Sequence, residues 1–146
     1  MGSRTRRYGR TLGGRFGNGV PATTRNRVGP QTATEKAARV KRYDIHFARL
    51  DPVEGAEMGK TRPAVIVSDD LRNQLLQTVV VCPLTTILHP SWRTRLQVHC
   101  AGRVAEIAVD QIRVLARSRI RTRIDCLSSP DAAALRQLIT EMYGEP

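Results

Sequence analysis

In the stretch GAEMGKTRPAVIVS, residues 55–68, three charged side chains, Glu57, Lys60 and Arg62, occupy a glycine-containing loop directly before the apolar run Ala64-Val65-Ile66-Val67. Further on, Thr85 closes a second apolar run, TVVVCPL, residues 78–84. If the two runs are antiparallel neighbours, the residue before one and the residue after the other share an end of the sheet. Arg62 and Thr85 then meet, with Glu57 across the loop. A guanidinium fork matches phosphate oxygens, a hydroxyl adds a neutral donor, and a carboxylate accepts a proton from an attacking hydroxyl. RNA brings its own nucleophile as the 2′-OH, so phosphodiester cleavage by this trio calls for no metal and no other cofactor. The plainer reading is punctuation: an arginine before a proline, a threonine at a strand end and a solvated loop acid. Spacing alone leaves both open.

Other chemistry finds little support. The sequence has no G-x-S-x-G, no phosphate-binding glycine loop and no His/Cys/Asp grouping at metal-ligand spacing. His46 and His99 fall inside strand patterns, whereas His89 lies in the loop TTILHPSWRTR, residues 85–95. That loop places Trp92 between Pro90 and Arg93, with Arg95 beyond, a combination suited to stacking on bases and neutralising phosphates. Packing of Trp92 under its own loop, or against a second copy of the chain, is the alternative.

The elements that must position these residues are short and mostly β. At 146 residues and a formal charge of +11, the chain is long enough for one domain with a core. Residues 1–40 carry nine basic side chains against one acid and hold seven of the eleven glycines, so most of the charge belongs to a flexible basic extension. Such an arm attracts polyanions, or is simply solvated. From residue 41 to 146, apolar segments alternate with turn signals, as in a small β-barrel. YDIHFARL stops at Asp51-Pro52; AVIVS and TVVVCPL are β-branched and lack alternation, which predicts central strands covered on both faces. RLQVHC and RVAEIAVDQIRVL, joined at Ala101-Gly102, predict an antiparallel hairpin. A helix is predicted over about 130–143: Ser129 caps it, Pro130 opens it, Leu135, Leu138, Ile139 and Met142 form one stripe, and Gly144 ends it. Arg119, Arg121 and Arg123 alternate along a further strand, either as a nucleic-acid track or as a charged edge.

The three cysteines, Cys82, Cys100 and Cys126, form no C-x-x-C pair and suit a reduced, cytoplasmic protein with small buried thiols. No apolar run reaches the length of a membrane span, and the twin arginines in TRRYGRTL precede glycines instead of an apolar segment, which argues against export.

Four blocks in order, DPVEGAEMGKTRPAVIVSDD, TVVVCPLTT, VAEIAVDQIRVLARSRI and LSSPDAAALRQLITEMY, resemble the MazF/PemK toxins of bacterial toxin–antitoxin pairs. The resemblance runs from Lys41 to Tyr143, roughly 70% of the chain. It implies an SH3-like β-barrel with a C-terminal helix, usually a homodimer. The implied activity is metal-independent, sequence-specific cleavage of single-stranded RNA to 2′,3′-cyclic phosphate and 5′-OH ends. A MazE-like antitoxin with an extended acidic segment is the implied partner. Carried over by position, the catalytic arginine and threonine are Arg62 and Thr85, and the loop glutamate is Glu57. Beside these carried-over positions, Lys60 itself reads as a phosphate contact, and the loop with Trp92, Arg93, Arg95 and His89 as the one that recognises bases. The family usually has glycine where Tyr43 stands, so Tyr43 either alters a turn or stacks on a base. Two rivals are a barrel that only binds nucleic acid and a gyrase poison of the CcdB type. The latter relies on a C-terminal Trp-Gly-Ile, whereas this chain ends EMYGEP.

Overall fold

The computed structural model describes residues 39–145. The basic extension expected over residues 1–40 lies outside the described residues except at its end, where Val40 is already buried in the core.

Seven strands form one strongly bent sheet: β1 (Asp44–Arg49), β2 (Thr61–Ile66), β3 (Thr78–Thr85), β4 (Arg95–Cys100), β5 (Arg103–Ala108), β6 (Arg113–Ala116) and β7 (Ile120–Cys126). Their order is β4-β5-β3-β2-β1-β7, with β6 also on β3. The two β-branched runs lie side by side, antiparallel, with Ala64 opposite Pro83 and Ile66 opposite Val81. As expected, both faces of this pair are covered. Val65, Cys82 and Leu84 join Ile45, Ile107 and Leu135 in one cluster, while Ala64, Ile66, Val79 and Val81 join Leu50, Leu115 and Ile120 in the other.

The expected hairpin is β4–β5, paired from Arg95↔Ala108 to Cys100↔Arg103. Ala101 and Gly102 take φ of 52° and 80°, the left-handed pair that a two-residue turn with the right strand twist requires. The stretch read as its second strand is split. A 3₁₀ turn at Val109–Gln111 breaks it, and β6 then pairs with the first half of β3 while β5 takes the last two residues of β3. One edge of β3 is thus shared by two strands.

Helix α1 (Asp70–Leu75), capped by the Asp69 carboxylate on the Arg72 N–H at 2.9 Å, has no counterpart in the sequence reading. Helix α2 (Ser129–Tyr143) ends at Gly144 as expected, but its cap is Ser128, whose hydroxyl accepts from the Asp131 N–H at 3.2 Å, one residue earlier than Ser129. Ala132 and Leu135 are buried under it and Leu138, Ile139 and Met142 pack beside them, as the stripe predicted. The Tyr143 hydroxyl ties its end to the Val109 carbonyl at 2.9 Å. Cys82 and Cys100 are buried, whereas Cys126 is exposed. Burial pushes the Cys82 thiol up to about 12, so it stays protonated and inert. No helix among the described residues is long and apolar enough to cross a membrane.

Tyr43 has φ 72°, so the backbone takes the left-handed form that glycine adopts without strain. Its hydroxyl accepts from Arg136 Nη1 at 3.1 Å, on α2. A side chain is kept here at a conformational cost because it bridges β1 to the helix. Tyr43→Ala keeps the strain and loses the bridge, whereas Tyr43→Gly loses the bridge and relieves the strain. Tyr43→Gly is therefore expected to be more stable than Tyr43→Ala by about 1 kcal/mol in urea unfolding. Equal stabilities of the two variants would mean that the turn is not strained.

Candidate active site

Continuing the β2–β3 register two residues past Ala64↔Pro83 sets Arg62 across from Thr85. Both line one cavity of about 380 Å³, with Phe47, Leu84 and Ile124 as apolar wall and Arg103 as a second guanidinium. Phe47 and Pro63, paired across β1 and β2, leave the same face of the sheet, and both line this cavity.

Arg62 is half-buried, and its Nε donates to the Gly59 carbonyl at 2.9 Å. That bond fixes the plane of the fork. Among the described residues no carboxylate forms an ion pair with it, so its charge is available to a ligand. Gly59 is held tightly: a Cβ there would collide with the Asp51 carboxylate and stand 2.8 Å from Val53. Lys60, at φ 65°, is exposed, and its carbonyl accepts from Leu50 N at 2.8 Å. The backbone before Arg62 is thereby fastened on both sides.

Thr85 is only 8% exposed, and its Oγ1 accepts from the Ile87 N–H at 3.1 Å, leaving the hydroxyl proton for another acceptor. Across the sheet, Thr85 pairs with Glu106.

Glu57 is placed apart from this pair. It is exposed, its Oε1 accepts from the Glu54 N–H at 2.8 Å, and it lines a separate polar cavity of about 400 Å³ with Asp110, Gln111 and Arg113. Gln111 holds the loop there, its Oε1 accepting from Met58 N at 3.1 Å.

His89, Trp92 and Arg95 are brought together in the loop before β4, His89 stacking on Trp92 and Arg95 lying against the same indole. Arg95 is spoken for: Nε donates to Asp110 Oδ1 at 2.8 Å, and its side chain is 8% exposed. Burial of Asp110 favours the neutral acid, but the hydrogen bond and charge of Arg95 outweigh it and hold the carboxyl below its ordinary range. Arg93 is exposed. Tyr43 lines neither cavity. Arg119 donates to the carbonyls of Arg49 and Asp51, Arg121 to the Ser118 carbonyl at 2.8 Å, and Arg123 pairs with Asp44 at 3.0 Å, so all three alternating arginines have structural partners. His46 is a buried strand histidine, as expected, with Nδ1 2.9 Å from the Arg121 carbonyl.

Two residues of this region escaped the sequence reading. Arg103, a basic residue directly after the Ala101-Gly102 turn, offers no local signal of a site. Glu106, however, carried a signal: a lone charge inside the apolar run VAEIAV, a pattern that demands a buried partner. No group of three or more metal-ligating side chains is found among the described residues.

Comparison with known proteins bears on this arrangement. A family model described as PemK-like, MazF-like toxin of type II toxin–antitoxin system matches residues 41–143. The endoribonuclease MazF of Staphylococcus epidermidis is 29% identical over 97 residues, covering 61% of this chain and 78% of the relative. Among solved structures, MazF from Deinococcus radiodurans superposes with a TM-score of 0.65 at 20% identity, over 72% of this chain and 96% of that one. A mycobacterial endoribonuclease in complex with its cognate antitoxin gives 0.62 at 18% identity, over 73% and 96% of the two chains. At these identities the solved structures establish the fold.

Proposed function

We propose, from the premise that this chain belongs to the PemK-like, MazF-like family of toxins of type II toxin–antitoxin systems, that it is an endoribonuclease cleaving single-stranded RNA at a short sequence. One observation carries the reading: Arg62 and Thr85, from adjacent strands, line one cavity, and no carboxylate among the described residues pairs with Arg62. In the proposed reaction the 2′-oxygen attacks the neighbouring phosphorus and the P–O5′ bond breaks. The 2′-OH proton leaves to a base and the 5′-oxygen gains one, giving a 2′,3′-cyclic phosphate and a 5′-OH. Arg62, a guanidinium with donors and no acceptor, is no base; it stabilises the phosphorane charge and can donate a proton toward the leaving oxygen. Thr85 donates to a non-bridging oxygen. Because the nucleophile belongs to the substrate, the step runs without a metal.

Lys60 and Arg93, both exposed, are proposed as phosphate contacts, and Trp92, backed by His89 and Arg95, as the group that meets the bases. Tyr43, whose hydroxyl accepts from Arg136 of α2, is proposed as a further base-stacking surface. We take the working state to be a cytoplasmic homodimer restrained by a MazE-like antitoxin. An acidic segment of such a partner suits a cavity bordered by Arg62 and Arg103.

The test is incubation of the purified protein with long single-stranded RNA in EDTA, mapping cut sites and end chemistry. Discrete cuts at one motif with cyclic-phosphate ends support the proposal. RNA that is bound yet stays intact gives the barrel a binding role alone.

Glu57 is proposed as the proton acceptor, and this part has its own test, because Glu57 lines the neighbouring cavity. Glu57→Gln is expected to lower kcat/KM about 10²-fold with cut sites unchanged. Wild-type rates in that variant would remove Glu57 from the chemistry and leave Arg62 and Thr85 in place.

A further inference from the structure

Trp92 is the chain's only tryptophan and is 47% exposed. The His89 ring stacks on it with centroids 4.0 Å apart and planes 27° from parallel, and the Arg95 guanidinium carbon lies 4.6 Å from the indole centre. Arg95 Nη1 also approaches His89 Nδ1 to 3.4 Å. Groups on opposite faces of an indole are held about 7 Å apart by two van der Waals contacts, so His89 and Arg95 occupy the same face. With Trp92 47% exposed, no other ring or cation among the described residues lies against it.

What fixes this half-sandwich is a buried carboxylate. Glu106 is 2% exposed. Its Oε2 accepts from the His89 backbone N–H at 2.5 Å, and its Oε1 stands 3.5 Å from Arg95 Nη1 and 3.6 Å from His89 Nδ1. Asp110 holds Arg95 from the other side at 2.8 Å. Trp92 N donates to the His89 carbonyl and Arg95 N to the Trp92 carbonyl, so the loop is wound around these contacts. A buried charge is costly unless it is paired, and Glu106 draws its partners entirely from the loop that carries Trp92. Glu106 is also the cross-strand partner of Thr85, so the two side chains leave the same face of the sheet. The Trp92 loop is thereby referenced to the hydroxyl.

We infer that the face of Trp92 turned away from His89 and Arg95 is a stacking subsite for one unpaired nucleobase of the RNA substrate, and that Glu106 is the positioning residue that sets this subsite relative to Thr85. The inference rests on the ribonuclease reading and adds a reason for single-strand selectivity. A base inside a duplex already has both faces covered, whereas an unpaired base offers one to an aromatic ring.

The experiment uses the full chain and a random-sequence single-stranded oligonucleotide pool, 2′-O-methylated throughout so that no nucleophile remains, with a duplex of equal length as control. Because Trp92 is the sole indole, its fluorescence reports the site. Single strands are expected to quench it and the duplex to leave it unchanged. Trp92→Ala is expected to weaken binding of the pool about 5- to 100-fold, read by anisotropy of a labelled strand, and Trp92→Phe to retain most of it. Glu106→Gln keeps the shape and removes the charge. On cleavable RNA it is expected to raise KM about tenfold with a smaller change in kcat, and to shift the emission of the free protein. A purely structural role would lower thermal stability and leave KM of the folded protein unchanged. Should Glu106→Gln not fold, the two Trp92 variants carry the test. Unquenched fluorescence with bound single strand, or a Trp92→Ala protein that binds and cuts as the wild type does, would overturn the subsite. Quenching together with the Trp92→Ala loss supports it even where no RNA is cut, so its failure and that of the ribonuclease reading are told apart.

Discussion

Arg62→Ala is expected to lower kcat/KM for RNA cleavage by about 10²- to 10³-fold while the protein stays folded and still holds single-stranded RNA. The reason is positional. Arg62 is anchored through Nε on Gly59, it lines the same cavity as Thr85, and no carboxylate among the described residues competes for its charge. A guanidinium so placed gains most when the phosphate oxygens acquire charge in the phosphorane, so its removal falls on the transition state more than on binding. The loss to stability is small, because the side chain is half-buried and gives up one hydrogen bond. Arg62→Lys is no rescue: an ammonium cannot bond Gly59 and present a planar pair of donors at once. Single-turnover cleavage of a substrate that the wild type cuts, beside thermal unfolding and filter binding, checks the three parts separately. If Arg62→Ala cuts at the wild-type rate, the cavity is not where the phosphate reacts.

The juxtaposition of Arg62 and Thr85 was legible because it needs only two facts that a sequence carries. β-branched runs without alternation belong in the middle of a sheet, and neighbouring antiparallel strands bring the start of one to the end of the next. The register then falls where the expectation put it. Glu57 was less legible because loops are routed by distant bonds. Met58 is held by Gln111, Leu50 by Lys60, and Gly59 is pressed against Asp51, and together these turn Glu57 toward Asp110 and Arg113. No local spacing encodes them.

The split of RVAEIAVDQIRVL illustrates a different limit. Its apolar content is uniform, so only the 3₁₀ turn at Val109–Gln111 reveals that one half serves the end of β3 beside Thr85 and the other half its beginning. That division carries Glu106 to the Thr85 end of β3, which is why a residue that reads as an anomaly in a strand becomes the anchor of the Trp92 loop. Tyr43 works in reverse. The resemblance flagged a departure from glycine, and the positive φ explains both the family's preference and the cost this chain accepts for a contact with α2. In both cases a locally unfavourable residue is retained for a contact distant in sequence.

Thr85→Val is expected to reduce kcat/KM about 10²-fold and to destabilise the fold by about 1–3 kcal/mol, two effects with separate causes. Valine matches threonine in shape, so packing at this buried position, 8% exposed, is preserved. What disappears is the acceptor for the Ile87 N–H and the hydroxyl proton proposed to bond a phosphate oxygen. The stability loss reports the first and the rate the second. Thr85→Ser separates them, since it keeps both functions of the hydroxyl and gives up one methyl; it should recover most of the rate and most of the stability. Combining Thr85→Val with Arg62→Ala sharpens the assignment. If the hydroxyl and the guanidinium hold the same phosphate in the same transition state, the second substitution costs less than it does alone, because the geometry it would exploit is already lost. Strict additivity of the two losses would mean that the residues act on different steps, and the shared cavity would then be a consequence of strand order and not of shared chemistry.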